Sequence, residues 1–411
     1  MPSSIYNKYK SYYKKQPARQ TKKLTMVNKR FKSLLHKEMT RKEFIGFTAV
    51  IFSSLFGFVG VITELLSHAS TPYSSVEAEN GTLSGATIVN DVNASGGMAV
   101  QFGNDSASPY SLRWAPPELD NPVTVNLNTT TSVNTAATGY SGTDLDNTKD
   151  YIIVLPSSLR TTTVTINGGR NIIIKGGHAT LAGTQTDAVI LITDQSTNGA
   201  PTPQQGRIVH IEGILVDASG GLSHDGIDYN CPSAIVQIQN CRITGMQGQK
   251  SEVHADISQN QGGAQEVRYD HVTGSTNYQG FFLPPGGGVI TNGVKIGNVD
   301  LSYWEANLNN PITYLLWSTQ TTDGTQNNPV DIIASFVISN NRSGQTVLAD
   351  SIWAPSNTPL SEDEAGNITF AAGANVTGTI IDGNINPSAI PSGGFCPIVN
   401  CGLNYVSPGY Q

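Results

Sequence analysis

Charge is the scarcest thing in this chain. Only 13% of its 411 residues are Asp, Glu, Lys or Arg, against roughly 25% in an average soluble domain. Gly, Asn, Thr and Ser fill the gap, which argues against a compact helical protein and for many turns. Disorder is excluded as well, because Val and Ile recur in alternating runs through the second half. Cysteine is rare too: Cys231, Cys241, Cys396 and Cys401 are the whole set. No Cys-x-x-Cys pair or nearby His pattern accompanies them, so a structural zinc site is disfavoured. The expected use is two local disulfides, Cys231–Cys241 and Cys396–Cys401, in an oxidising compartment.

Long apolar runs are missing, with one exception. Phe44 to Thr63 is a stretch of 20 residues without a charge, the length that crosses a bilayer. Residues 1–43 before it hold 13 of the 24 Lys and Arg and only two acids, Glu38 and Glu43. The chain after them has 11 basic and 29 acidic residues, a net charge of −18. A basic head alone would suit nucleic acid. A basic head followed at once by an apolar span suits a membrane anchor with its N-terminus inside, so no nucleic-acid partner is expected. The expected layout is a cytoplasmic tail over 1–43, a transmembrane anchor over 44–66 and an exported body on the cell surface. Ser67-His68-Ala69 offers the alternative of cleavage and secretion.

Residues 74–103 resemble the opening of carbohydrate-binding modules of families six and thirty-five. Glu77-Ala78-Glu79, Gly81 and Ala94-Ser95-Gly96-Gly97 ahead of Val100-Gln101-Phe102 carry the likeness. The resemblance implies two or three strands within a linker, 67–149, that ends in a Thr- and Asn-rich cap.

A long-period repeat fills 150–411. Segments starting at Ile172, Val209, Val236, Val267, Val294 and Phe336 share two apolar residues two apart, then Asn, His or Gly. A second series aligns Ile190, Ile227, Ile257, Phe282 and Leu315. Units of two or three short strands without a helix predict the coils of a parallel β-helix, an all-β solenoid. Asn240, Asn298 and Asn340 are expected to stack their amides at one turn. The repeat, with Gly168-Gly169-Arg170-Asn171-Ile172-Ile173-Ile174-Lys175-Gly176-Gly177, resembles the pectate-lyase-like right-handed single-stranded β-helix superfamily. That resemblance implies the handedness and a carbohydrate-active surface; the fold also carries non-enzymatic proteins.

Titratable residues concentrate in 224–271. With Ile227 and Ile257 level and inward, His224, Gly226 and Asp228 face outward on one coil, and His254, Asp256 and Ser258 on the next. The two histidines then stack, and Asp256 lies diagonally from Asp228. Such a set can do general acid/base work or hold a hard cation such as calcium; the metal is left open. Gln259, Gln279 and Arg268 are candidate substrate contacts. Lys250, in the turn 246–253, is a candidate base for a lyase. Tyr229, Tyr278, Phe281, Tyr303 and Trp304 are candidate sugar platforms.

Ser223-His224-Asp225-Gly226-Ile227 resembles the Asn-Thr-Asp-Gly-Ile motif of polygalacturonase-type hydrolases, and Ala255-Asp256 resembles part of their Gly-Asp-Asp motif. The resemblance implies catalytic roles for Asp225 and Asp256. The second Asp and the Gly-His-Gly and Arg-Ile-Lys motifs are absent. The expected function is polysaccharide cleavage, by a hydrolase or a lyase. The rival is a non-catalytic solenoid that binds a cell-surface glycan. The low count of cations in the body favours a neutral or weakly charged glycan.

Overall fold

The computed structural model describes residues 86–90, 98–102 and most of 110–409. Within that last span, 131–144 is described only at Val133, and 182–187, 195–202, 250–252, 305–313, 320–327, 354–359 and 372–374 are left out. The expected anchor over 44–66 and Lys250 lie outside the described residues. Two compact units divide at residue 104. In the first, Ala86–Asn90 pairs antiparallel with Met98–Phe102.

The second unit is all-β and dominated by parallel pairing. Its strands form three ladders, and a typical turn of the chain adds one strand to each. The first ladder runs through Val164–Asn167, Ile190–Thr193, 227–231, 258–260, Gln279–Phe282, Leu316–Trp317 and Ile352–Trp353. The second begins at Val123–Asn126 and passes through Tyr151–Val154, Ile172–Lys175 and Arg207–Glu212 before reaching 234–239, 266–270 and 294–297. The third takes His178–Ala179, Leu215–Asp217, 241–244, 272–276, 299–303, Phe336–Ser339 and Thr379–Asp382. Ile227–Met246 and Asp256–Thr276 are continuous strands that each pass through all three. This pairing is compatible with the expected β-helix. The stacking starts at Val123, inside the stretch expected to be only a cap.

Alternate residues of the strands build the core, as with Ile190 and Ile192 or Val236 and Ile238. Ile190, Ile227, Phe281 and Leu316 are fully buried on the first ladder. Tyr269 stacks on Phe281 with ring centroids 4.1 Å apart. At the last coil, Asn367–Phe370 pairs antiparallel with Thr379–Asp382, which covers an edge that would otherwise offer free backbone groups.

The bend between the second and third ladders has one recurrent device. Gly176, Gly213, Asn240, His271 and Asn298 follow residues in register, and all have positive φ, between 50° and 71°. Gly, Asn and His tolerate this left-handed conformation best. The asparagines therefore recur for backbone reasons rather than to stack amides. Asn240 donates to the carbonyl of Tyr110, and Asn298 to the carboxylate of Asp270. Asn340 belongs elsewhere, beyond the third ladder.

Two expected alignments shift. Val294 pairs with Val330, and Phe336 pairs with Val299 on the third ladder. On the first ladder Ile227 stands opposite Ser258, not Ile257, and the next residues in register are Phe281 and Leu316, not Phe282 and Leu315. Ser258 is fully buried, and its hydroxyl is satisfied by the Ile227 carbonyl at 3.1 Å and the Tyr269 hydroxyl at 2.9 Å. A serine with both bonds made fits an apolar row, which alignment by hydrophobicity passes over. Ile257 is buried as well, over Gly274, where a Cβ would lie 2.7 Å from Ile257 Cδ1.

Candidate active site

The shift of one residue rearranges the polar set, as it must in a structure of period two. The offset that pairs Ile227 with Ser258 sets Asp225 beside Asp256, and Asp256 in turn pairs with Gln279. These three stand where the chain turns into the first ladder. A second row, on the outward face, contains Asp228, Gln259 and Phe282 in register. The close carboxyl pair is thus Asp225 and Asp256, rather than Asp228 and Asp256. Asp228 is 2% exposed and accepts from Gln261 Nε2 at 2.8 Å.

Close approach of the two coils depends on Gly226. A Cβ there would lie 2.6 Å from the Ile257 carbonyl oxygen. With the glycine in place, Gly226 N–H donates to the Asp256 carbonyl at 2.8 Å. Asp256 N–H donates to Asp225 Oδ1 at 2.7 Å. The Gln259 amide nitrogen donates to Asp225 Oδ2 and Asp256 Oδ2, each at 3.0 Å. Gln279 donates to Asp256 Oδ1 at 2.8 Å. These orientations follow from the partners, since only acceptors face each amide nitrogen. His224 Nδ1 lies 3.2 Å from Asp225 Oδ2.

Burial and the negative charge of Asp225 push the Asp256 carboxyl well above the usual carboxylate range. Two acids this close resist double ionisation, so Asp256 is the one that keeps a proton. Tyr278 is pushed up as well, first by burial and then by Asp256 and Asp225.

Asp256 and Gln279 open into a cleft of about 440 Å³, shared with His254, Tyr278, Phe282 and Trp317. Turn lengths explain the cleft. Two residues, Asn277 and Tyr278, join the third ladder to Gln279–Phe282, whereas nine, 247–255, lead into the preceding coil. A short coil beside a longer one leaves a hollow. His254 rims it, exposed, with its ring stacked on Tyr278 at 5.0 Å.

Other expected contacts are placed apart. Arg268 is on the second ladder, level with Gln237 and Lys295, where it pairs with Glu266 and lies 5.6 Å over the Trp114 ring. Tyr229, Phe281 and Tyr303 are core residues, buried to 1% exposure or less. Trp304 donates from Nε1 to the Met246 carbonyl. The described residues lining the cleft include no Lys or Arg. Among the described residues no group of three or more His, Cys, Asp or Glu is placed to hold a metal ion. Phe282 and Trp317 were missed by the sequence reading. The available signal was a single aromatic after the inward position of each strand.

Comparison with known proteins gives no matching family model, no matching curated protein and no matching solved structure. The functional reading therefore rests on the geometry of the site.

Proposed function

We propose that this chain is a carbohydrate-active, right-handed parallel β-helix protein that hydrolyses a polysaccharide at the Asp225–Asp256 pair. The observation that carries the reading is the asymmetry of that pair. Asp256 is buried and pushed towards its protonated form, while Asp225 gathers donors from Asp256 N–H, Gln259 and His224. A carboxyl held towards its protonated form beside a second carboxyl suits the acid role in glycoside hydrolysis. Asp256 protonates the departing glycosidic oxygen. Asp225, fully buried and outside the cleft lining, positions Asp256 through the Asp256 N–H and keeps its carboxyl protonated.

Hydrolysis is preferred here to elimination. A lyase needs an unprotonated base beside a uronate carboxylate, whereas Asp256, the carboxyl that lines the cleft, is pushed towards its protonated form. The exported location remains part of the proposal, because a secreted or cell-surface body is where such a polymer is met.

The test is a panel of soluble polysaccharides, scored for new reducing ends and for the absorbance of unsaturated uronates. Reducing ends without that absorbance, lost in both Asp225→Asn and Asp256→Asn, support the proposal. Cleavage that survives both substitutions ends it.

A further inference from the structure

The outward row of the first ladder changes character from coil to coil. It includes Asp228 and Gln259, then Phe282, Trp317 and Trp353, each in register with the one before. Trp317 and Trp353 stack at 4.8 Å with planes 3° apart. Phe282 meets Trp317 edge-on at 5.1 Å. Tyr314 lies edge-to-face against both indoles, at 5.6 Å and 4.8 Å. All four rings are half-buried and lie outside the apolar core.

A solenoid does not need this. Outward positions are served by polar residues, as in the half-buried Gln259 and in Asp228, which is buried but bonded to Gln261. Three partly exposed rings in line, with Tyr314 packed against the two indoles, form an apolar strip. The strip is continuous with the cleft, since Phe282 and Trp317 line it together with Asp256.

We propose that this aromatic row is a binding track for a neutral polysaccharide, which lies along the solenoid axis with successive sugars meeting successive coils and leads into the carboxyl pair. This deepens the hydrolytic reading of the cleft and rests on it. Three features choose the occupant. The rings repeat once per coil, a rise of about 4.8 Å, which suits an extended polymer with a regular repeat. Because Trp317 and Trp353 stack on each other, the row offers a sugar a strip of ring edges, against which its apolar C–H face packs while its hydroxyls stay in water. Charge disfavours the anionic polymers, because residues 44–411 carry a net −18.

The experiment is affinity electrophoresis of the full-length chain in an Asp256→Asn background, which prevents cleavage during the run. Gels contain galactomannan, xyloglucan, arabinoxylan or, as the anionic probe, polygalacturonate. The expected result is retardation by at least one neutral polymer, weakened about tenfold in Trp353→Ala and restored in Trp353→Phe. Tyr314→Ala, away from the strand pairing of Trp353, should weaken it too. Retardation by none of the neutral polymers, retardation only by polygalacturonate, or full retardation of both alanine variants overturns the track. If the Asp256-intact protein is retarded through Trp353 yet releases no reducing ends, the hydrolytic reading fails and the track stands.

Discussion

The backbone N–H of Asp256 donates to the carboxylate of Asp225, one coil away, at 2.7 Å. The same pairing that builds the parallel ladders therefore holds the two carboxyls together. Replacing Asp225 with Asn keeps an oxygen for that N–H but sets an amide nitrogen towards the Gln259 nitrogen and His224. We expect the fold to lose about 1 kcal/mol, while turnover falls about 100- to 10,000-fold, the range for a lost acid or base. Chemical denaturation and reducing-end assays measure the two separately. Loss of activity that merely tracks unfolding would sink the assignment.

Asp256 allows a test of linkage. Its folded pKa is raised, by burial first and by Asp225 second. From the unfolded value of about 3.9 upward, the native state holds a proton that the unfolded state has released. Native stability must then fall as pH rises through that window. Asp256→Asn carries no such charge, and the Gln259 and Gln279 amides can turn to meet it. The variant should melt close to wild type near pH 4 and increasingly above it towards neutrality, while losing activity. Thermal melts across the pH range decide this, and a variant less stable at neutral pH contradicts the shifted carboxyl.

The ladders were legible because burial writes a period of two into the sequence. Ile172, Val209, Val236, Val267 and Val294 align in the structure as they do by eye. The site was legible only in composition: Asp225, Asp256, Gln259 and Gln279 were all singled out, yet with the wrong neighbours. Register failed at Ser258, where a buried hydroxyl paired with Tyr269 replaces an aliphatic side chain. Hydrophobicity has no record of such a bond. Arg268 failed for a different reason. Its ladder was aligned correctly, but that ladder is not the one that carries the carboxyl pair.

His271 occupies the bend between the second and third ladders, where its φ is 50°. Its Nδ1 lies 2.7 Å from Asp270 Oδ2, away from the first ladder. His271→Asn should be nearly neutral, because Asn occupies the equivalent bends at 240 and 298. His271→Val should cost about 1–2 kcal/mol for a left-handed, β-branched residue. Neither should change activity per folded molecule. Equal stability of the two variants in denaturant melts would refute the backbone role.

The cysteines separate in the same way. Cys231 lies on the first ladder opposite Ala264, and Cys241 on the third opposite Val272. The expected Cys231–Cys241 disulfide would have to cross the core, and all four cysteines are free thiols in this structure. Burial pushes both Cys231 and Cys241 up to about 12, so neither forms the thiolate that reacts. Cys396 and Cys401 differ, because the Cys396 thiol hydrogen-bonds to Cys401, raising the first and lowering the second. Near neutral pH, native protein treated with iodoacetamide should be labelled at Cys401 first and hardly at Cys231 or Cys241. Under an oxidant such as glutathione disulfide, Cys396–Cys401 should be the pair that closes. Peptide mapping without reduction reads both results, and a Cys231–Cys241 bridge in folded protein would contradict the ladder assignment itself.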